Sequence, residues 1–394
     1  MTAKISASNN QRLKNILETI ANQQNISHID GLLDCLNALV YEINVKTTGK
    51  TKNFQNLLKR LLPNSEYIQK QRININDFTI LKVVGKGAYG EVALVRHTTS
   101  QEVFALKTMN KAEMVKRDEA LCLWEEREIM AFSESEWIVK MLYAFQDTIN
   151  IYMVMEFVQG GNMVNVMSSY DVDEEMAKFY IAEISLALDF LHNMGFIHRD
   201  VKPDNMLLDK NGHIKLCDFG TCVRMNKNGK VVCNVAVGTP DYISPEVLSS
   251  QSSNVTYGRE CDWWSVGVFL YELLLGDTPF YSQSLVGTYS KILSHAKTLK
   301  IPEDAEISKE TKDLIHAFLC SSEVRLGRNG IEEIKKHPFF KDVLWKWDEI
   351  RTFTPPIVPE LVNEIDTSCF DFEEQTDKEL LPLAKSALVL RMKI

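Results

Sequence analysis

His198-Arg199-Asp200-Val201-Lys202-Pro203-Asp204-Asn205 is the stretch on which the fold turns. It has the form H-R-D-x-K-x-x-N, Asp218-Phe219-Gly220 follows at short range, and Ser244-Pro245-Glu246 closes the run. Each motif alone could be an ordinary structural loop, but the three in this order and at these gaps are not a chance set. Upstream, Gly85-Lys86-Gly87-Ala88-Tyr89-Gly90-Glu91-Val92 fits G-x-G-x-x-G-x-V between expected strands at 78–84 and 91–97. Glycines in such a turn let backbone N–H groups approach phosphate oxygens without a Cβ clash. By itself the signal is weak, because hairpins and dinucleotide folds share it. A dinucleotide fold would place a helix directly after the turn, whereas Glu91-Val-Ala-Leu-Val reads as another strand.

A third strand, 103–108, carries Lys107, a cation suited to holding phosphate oxygens. A lone lysine on a strand is usually a solvated charge, so it needs a partner. Glu126, on a helix expected over 120–132, would supply one. Glu125 competes from one residue away, and helix phase does not separate the two. After Gly160-Gly161 the pattern becomes helical, with helices expected over 173–192, 262–275, 284–294 and 308–319. A small β-rich lobe before a larger helical lobe follows, and from Lys341 a proline-spaced, acidic tail runs over the surface.

With these motifs the chain resembles the protein kinases. Over about residues 28–380 it resembles the Rho-associated coiled-coil kinases of the AGC group, on the stretches Asp218-Phe-Gly-Thr-Cys222, Ala236-Val-Gly-Thr-Pro-Asp-Tyr-Ile-Ser-Pro-Glu246, Tyr257-Gly-Arg-Glu-Cys-Asp-Trp-Trp-Ser265 and Gly276-Asp-Thr-Pro-Phe-Tyr281. Myotonic-dystrophy-type and Cdc42-binding kinases share many of these, and Ser284-Leu-Val-Gly-Thr-Tyr-Ser290 favours the Rho-kinase likeness. The resemblance implies an α+β, bilobal protein kinase fold with an N-terminal helical extension and a C-terminal AGC tail. The implied domains are 1–76, 78–340 (small lobe 78–157, large lobe 161–340) and 341–394.

It also implies a serine/threonine protein kinase that uses ATP and Mg2+. Phosphoryl transfer needs alignment and charge neutralisation more than covalent help. Asp200 would accept the substrate hydroxyl proton, Lys202 would reach the γ-phosphate, and Thr239 would bond both. Asn205 and Asp218 would offer magnesium hard oxygen donors. ATP would meet Val84, Gly85, Lys86, Gly87, Ala88, Tyr89, Gly90, Glu91, Val92, Ala105, Lys107, Glu126, Met155 as gatekeeper, Glu156, Val158 and Phe370. Asp204 and Glu272 would receive basic substrate side chains, and Asp262 and the Glu246–Arg325 pair would brace the large lobe. An inert scaffold of this fold would lack Lys107, Asp200 or Asp218, and an adaptor module would leave the ordered motifs unexplained.

Three departures matter. Val235, three residues before Gly238, occupies the position where many AGC kinases carry a phosphorylated threonine, so activity without phosphate on this segment is expected. Asn162 stands where related kinases have Asp or Glu, which weakens one arginine site. Beyond Asp377 no F-x-x-F/Y motif appears, and the family's coiled-coil, Rho-binding and membrane-binding regions are not found in this chain.

The first 76 residues hold ten Lys and Arg against five Asp and Glu, so they are +5, and the rest carries −14 of the net −9. Their apolar residues form helical stripes: Leu13, Ile16, Leu17 and Ile20; then Ile29, Leu32, Leu33, Leu36, Leu39, Val40 and Ile43; then Phe54, Leu57, Leu58, Leu61 and Leu62. Ser27 and Asp30 suit a cap, and Pro63 is expected to stop the third helix. Three such helices make a marginal core alone. They would pair with a second copy as a homodimer, the family's arrangement, or cover the catalytic body. The acidic balance argues against nucleic-acid binding, and no span long and apolar enough for a membrane is present. Eight cysteines without metal-type spacing read as reduced thiols. A soluble, cytoplasmic, cytoskeleton-associated enzyme is expected, its substrates by resemblance being myosin light chain and the myosin phosphatase targeting subunit.

Overall fold

The computed structural model describes residues 2–21, 29–46, 52–87, 90–116, 122–250 and 255–370. Ala88 and Tyr89 of the glycine-rich turn, Ser27, and the end of the tail lie outside these. The chain divides into two compact units, 1–75 and 76–394.

The first unit contains α1 (Thr2–Ala21), α2 (Ile29–Lys46) and α3 (Lys52–Gln71). α3 does not stop at Pro63 but runs through it. Proline costs an intrahelical hydrogen bond and about 3 kcal/mol inside a helix. Here α2 holds the turns on both sides of it: Leu58 is buried before Pro63, and Ser65 Oγ donates to Asn37 Oδ1 after it, at 2.6 Å. Just beyond the helix Arg72 pairs with Asp34 at 2.6 Å. Leu13, Ile16, Leu17, Leu32, Leu39, Phe54 and Leu57 remain exposed.

The second unit opens with an antiparallel sheet of β1 (Phe78–Gly87), β2 (Gly90–His97), β3 (Val103–Asn110), β4 (Met141–Gln146) and β5 (Asn150–Glu156), in the order β1-β2-β3-β5-β4. Across the sheet runs an aromatic chain in which Phe78 meets Phe104 and Phe145, and Phe145 stacks on Tyr152. Between β3 and β4 lie α4 (Lys111–Lys116) and α5 (Cys122–Phe132), and α5 buries Leu123, Ile129 and Met130.

The helical part begins with α6 (Met163–Ser169) and α7 (Glu174–Asn193). β6 (Phe196–Ile197), β7 (Met206–Leu208), β8 (Ile214–Leu216) and β9 (Val223–Arg224) then form two short ribbons, β6 with β9 and β7 with β8. β10 (Lys230–Cys233) pairs antiparallel with β11 (Val255–Gly258), and α8 (Pro245–Ser249) lies between them. α9 (Glu260–Leu275) is apolar almost all round and nearly wholly buried, as such a helix must be. α10 (Leu285–Leu293), α11 (His295–Thr298), α12 (Lys309–Phe318) and α13 (Ile331–Lys335) complete the lobe. Trp263 of α9 stacks on Phe318 of α12, and Trp264 on Phe280. Asp173, Ser284 and Ser308 cap α7, α10 and α12 with their side chains, so sequence-expected helices that include them begin one residue later.

Beyond α13 the chain returns as a strap. Arg351 reaches Asp209 at 3.1 Å, donates to the Glu136 carbonyl at 2.8 Å and lies over the Trp137 ring. Further on, Glu364 pairs with Arg96 of β2, and Thr367 accepts from Lys82 of β1 at 3.0 Å. The tail therefore touches both lobes.

Candidate active site

The loop between β6 and β7 holds Asp200, and its shape is fixed from beneath by a buried carboxylate. Asp262, at the start of α9, accepts from the backbone N–H groups of His198 (2.9 Å) and Arg199 (2.8 Å) and from His192 Nε2 (2.8 Å). Burial works to raise the Asp262 pKa, but these donors hold it below the ordinary carboxylate value. Arg199 takes a left-handed backbone conformation, φ 69°, which the two amide bonds to Asp262 maintain.

Asp200 is itself enclosed. Its Oδ1 accepts from Thr239 N at 2.8 Å and Thr239 Oγ1 at 2.7 Å, and its Oδ2 lies 3.1 Å from Lys202 Nζ. Lys202 also donates to Thr239 Oγ1 at 2.7 Å. Asp200, Lys202 and Thr239 thus form a closed triangle, although Thr239 lies far along the chain. The return of the chain to Asp200 demands glycine at 238: its φ is 112°, and a Cβ there would lie 2.5 Å from the Arg199 carbonyl oxygen.

The second cluster comes from three elements. Lys107 of β3 reaches Glu126 of α5 at 2.5 Å and Asp218 at 3.1 Å. Glu126, rather than Glu125, is therefore the partner on the helix. Burial works to lower the Lys107 pKa, but the two carboxylates hold it above the ordinary lysine value. In return the Lys107 ammonium holds Asp218 below its ordinary value, so that carboxylate is fully ionised at neutral pH.

Asn205 commits its amide nitrogen to the Asp200 carbonyl at 2.8 Å, which leaves its own oxygen as the remaining donor atom. Asp218 keeps about half of its side chain exposed. An ionised carboxylate and an amide oxygen are hard donors of the kind magnesium takes, so these residues fit that ion.

Around this centre the other sequence-expected residues fall as follows. Val84, Gly85, Lys86 and Gly87 end β1, while Gly90, Glu91 and Val92 begin β2. A Cβ at Gly90 would stand 1.7 Å from the Thr108 carbonyl oxygen, so only glycine allows β2 to approach β3 here. Val92 pairs with Lys107 across the sheet, and Ala105 with Met155. The Glu156 carboxylate is taken by Lys215 Nζ (2.7 Å) and the Lys140 amide (2.9 Å), a brace between the lobes. Val158 is buried beyond it, and Phe370 of the tail stacks on Phe157 with ring centroids 5.6 Å apart.

Asp204 is exposed at the loop's edge. Burial, together with Asp204, Asp241 and Asp277, pushes the Glu272 pKa up even though Tyr242 Oη donates to that carboxylate. Asn162 turns out to be the N-cap of α6, in a reciprocal box with Asn165. Glu246 and Arg325 pair, with Nη2 3.1 Å from Oε2. The bonds of Arg199 to Thr221 and Tyr257, and of Tyr242 to Glu272, carried no signal in the sequence, because each joins segments whose approach only the fold decides.

Residues 78–340 match the protein kinase domain family. The chain is 57% identical over 359 residues to Rho-associated protein kinase 1 of Homo sapiens, covering 91% of this chain and 26% of that protein. It is 49% identical to Rho-associated protein kinase let-502 of Caenorhabditis briggsae (92% and 30% covered) and 46% identical to serine/threonine-protein kinase MRCK alpha of Mus musculus (88% and 20%). The chain spans about a quarter of the length of the first of these relatives.

Proposed function

The chain belongs to the protein kinase family, and on that premise we propose that it transfers the γ-phosphate of ATP to serine and threonine hydroxyls of protein substrates in a basic context. The observation that carries this reading is the closed triangle of Asp200, Lys202 and Thr239 beside the Lys107–Asp218 pair. Asp200 accepts the hydroxyl proton and points that oxygen at phosphorus. Lys202 stabilises charge on the transferring group, and Thr239 holds both side chains in register. Lys107, kept in place by Glu126, binds the α- and β-phosphates beside the glycine-rich ends of β1 and β2. Asn205 and Asp218 hold magnesium, which when bound neutralises the phosphate oxygens.

Ala105, Met155, Glu156 through its carbonyl, Val158 and Phe370 enclose adenine. Asp204 and Glu272 take basic side chains N-terminal to the acceptor. Residues 1–76 act as a dimerisation extension, 78–340 as the catalytic domain and 341–394 as its tail. The exposed apolar side chains of α1 to α3 support the first of these. Similarity to kinases named Rho-associated supports a cytoplasmic role in actomyosin control, with myosin light chain and the myosin phosphatase targeting subunit as substrates. Val235 supports turnover without phosphate on the segment 218–246.

The test is phosphate transfer from labelled ATP and magnesium to a basic serine peptide, with unphosphorylated wild type beside Asp200→Asn. Removing one such contact lowers the rate by about 10²–10³, and that loss is expected. No transfer from a folded, ATP-binding wild type sinks the proposal. Deleting 1–76 is expected to lower mass in sedimentation and activity together; unchanged values of both would refute dimerisation.

A further inference from the structure

Arg199 stands beside the base Asp200, and its buried guanidinium ties two points of the segment 218–246 to the β10–β11 ribbon. Its Nε donates to the Thr221 carbonyl at 2.7 Å, near the start of the segment. Its Nη1 lies 3.2 Å from Tyr257 Oη and 3.6 Å from Cys233 Sγ, both on the β10–β11 ribbon. Its carbonyl oxygen fills the space a Cβ on Gly238, near the segment's end, would need. Tyr257 is buried and pairs with Val231 across that ribbon. Lys230, beside Val231 on β10, reaches Glu260 at 2.5 Å, which ties the ribbon to α9.

Kinase activation loops are commonly ordered by a phosphate paired with arginine. Here the corresponding position holds Val235, more than half exposed and without a hydroxyl, while the arginine beside the base already has its acceptors. A buried guanidinium is costly unless its N–H groups are met. We propose that Tyr257 is a positioning residue, whose hydroxyl does for Arg199 what a segment phosphate would do and so keeps Asp200 and Thr239 in register. This deepens the kinase reading above and rests on it.

The test starts from Tyr257→Phe, which removes the hydroxyl and keeps the ring. Loss of a hydrogen bond to a charged group corresponds to about ten- to hundredfold. A fall in kcat of that order is expected, with KM for ATP unchanged. A purely structural role is separated by rescue: Cys233→Asp in the Tyr257→Phe background returns an acceptor next to Arg199, and kcat is expected to recover. Failure of that rescue overturns the inference. Wild-type turnover carries the kinase reading by itself, so a Tyr257→Phe rate equal to wild type overturns the inference and leaves that reading standing. Amide exchange over residues 221–239 reads the same anchor without turnover. Faster exchange in Tyr257→Phe is expected, and unchanged exchange also overturns the inference.

Discussion

At the scale of the residue, charge placement explains most of the site. Lys107 neutralises two carboxylates at once, so Lys107→Met should disturb both of them. Asp218 loses the ammonium that depresses its pKa, and its titration, followed by the carboxyl carbon signal in NMR, should move up. An unmoved titration would contradict this electrostatic account. Asp262 gives a pH dependence with a definite sign. Its folded pKa is lowered, so its stabilisation is present above the ordinary value of about 3.9 and is lost as pH falls through the lower folded value. Asp262→Asn should therefore show a flatter fall of the urea midpoint below about pH 4 than wild type. The motif spacing singled out Asp200, Lys202, Asn205 and Asp218, and the fold brings Lys202 to Asp200 and Lys107 to Asp218. The bonds of Thr239 to Asp200 and Lys202 were expected from the family resemblance, whereas the atoms through which Asp262 holds the loop were not, because α9 approaches from a distant part of the chain.

At the scale of the element, local rules held where a cap or a period decided the outcome and failed where packing did. Asn162, which looked like a departure from a binding position, is a working cap for α6. Asn162→Ala should cost about 0.5–2 kcal/mol of stability, read from thermal unfolding; no loss would show that α6 does not need its box. Pro63 is the opposite case, a breaker overridden by neighbours. Pro63→Ala should stabilise the N-terminal unit, by at most about 3 kcal/mol. A lower melting point in that variant would mean that the proline shapes α3 rather than straining it. Periodicity showed the strands and helices, whereas choosing Glu126 over Glu125 required knowing how α5 lies against β3.

At the scale of the whole second unit, two long-range ties stand out. Arg325, wholly buried, meets both oxygens of Glu246, the Glu260 carbonyl and the Trp264 ring. Arg325→Ala leaves the largely buried Glu246 carboxylate without its partner and should cost about 3 kcal/mol, measured by urea unfolding. The tail is the other tie: Thr367 and Glu364 reach β1 and β2, and Phe370 reaches Phe157 beside the inter-lobe linker. By itself the sequence determined the bilobal class and the order of the lobes, because glycine-rich turns and apolar periods are local and leave local marks. Only the tertiary structure decided that Asp262 takes the His198 and Arg199 amides, that Arg199 finds Tyr257 and that α3 passes Pro63. The first two join segments far apart in the second unit and the third rests on α2 packing against α3 in the first, both set by burial of apolar surface, and no short stretch of sequence records them.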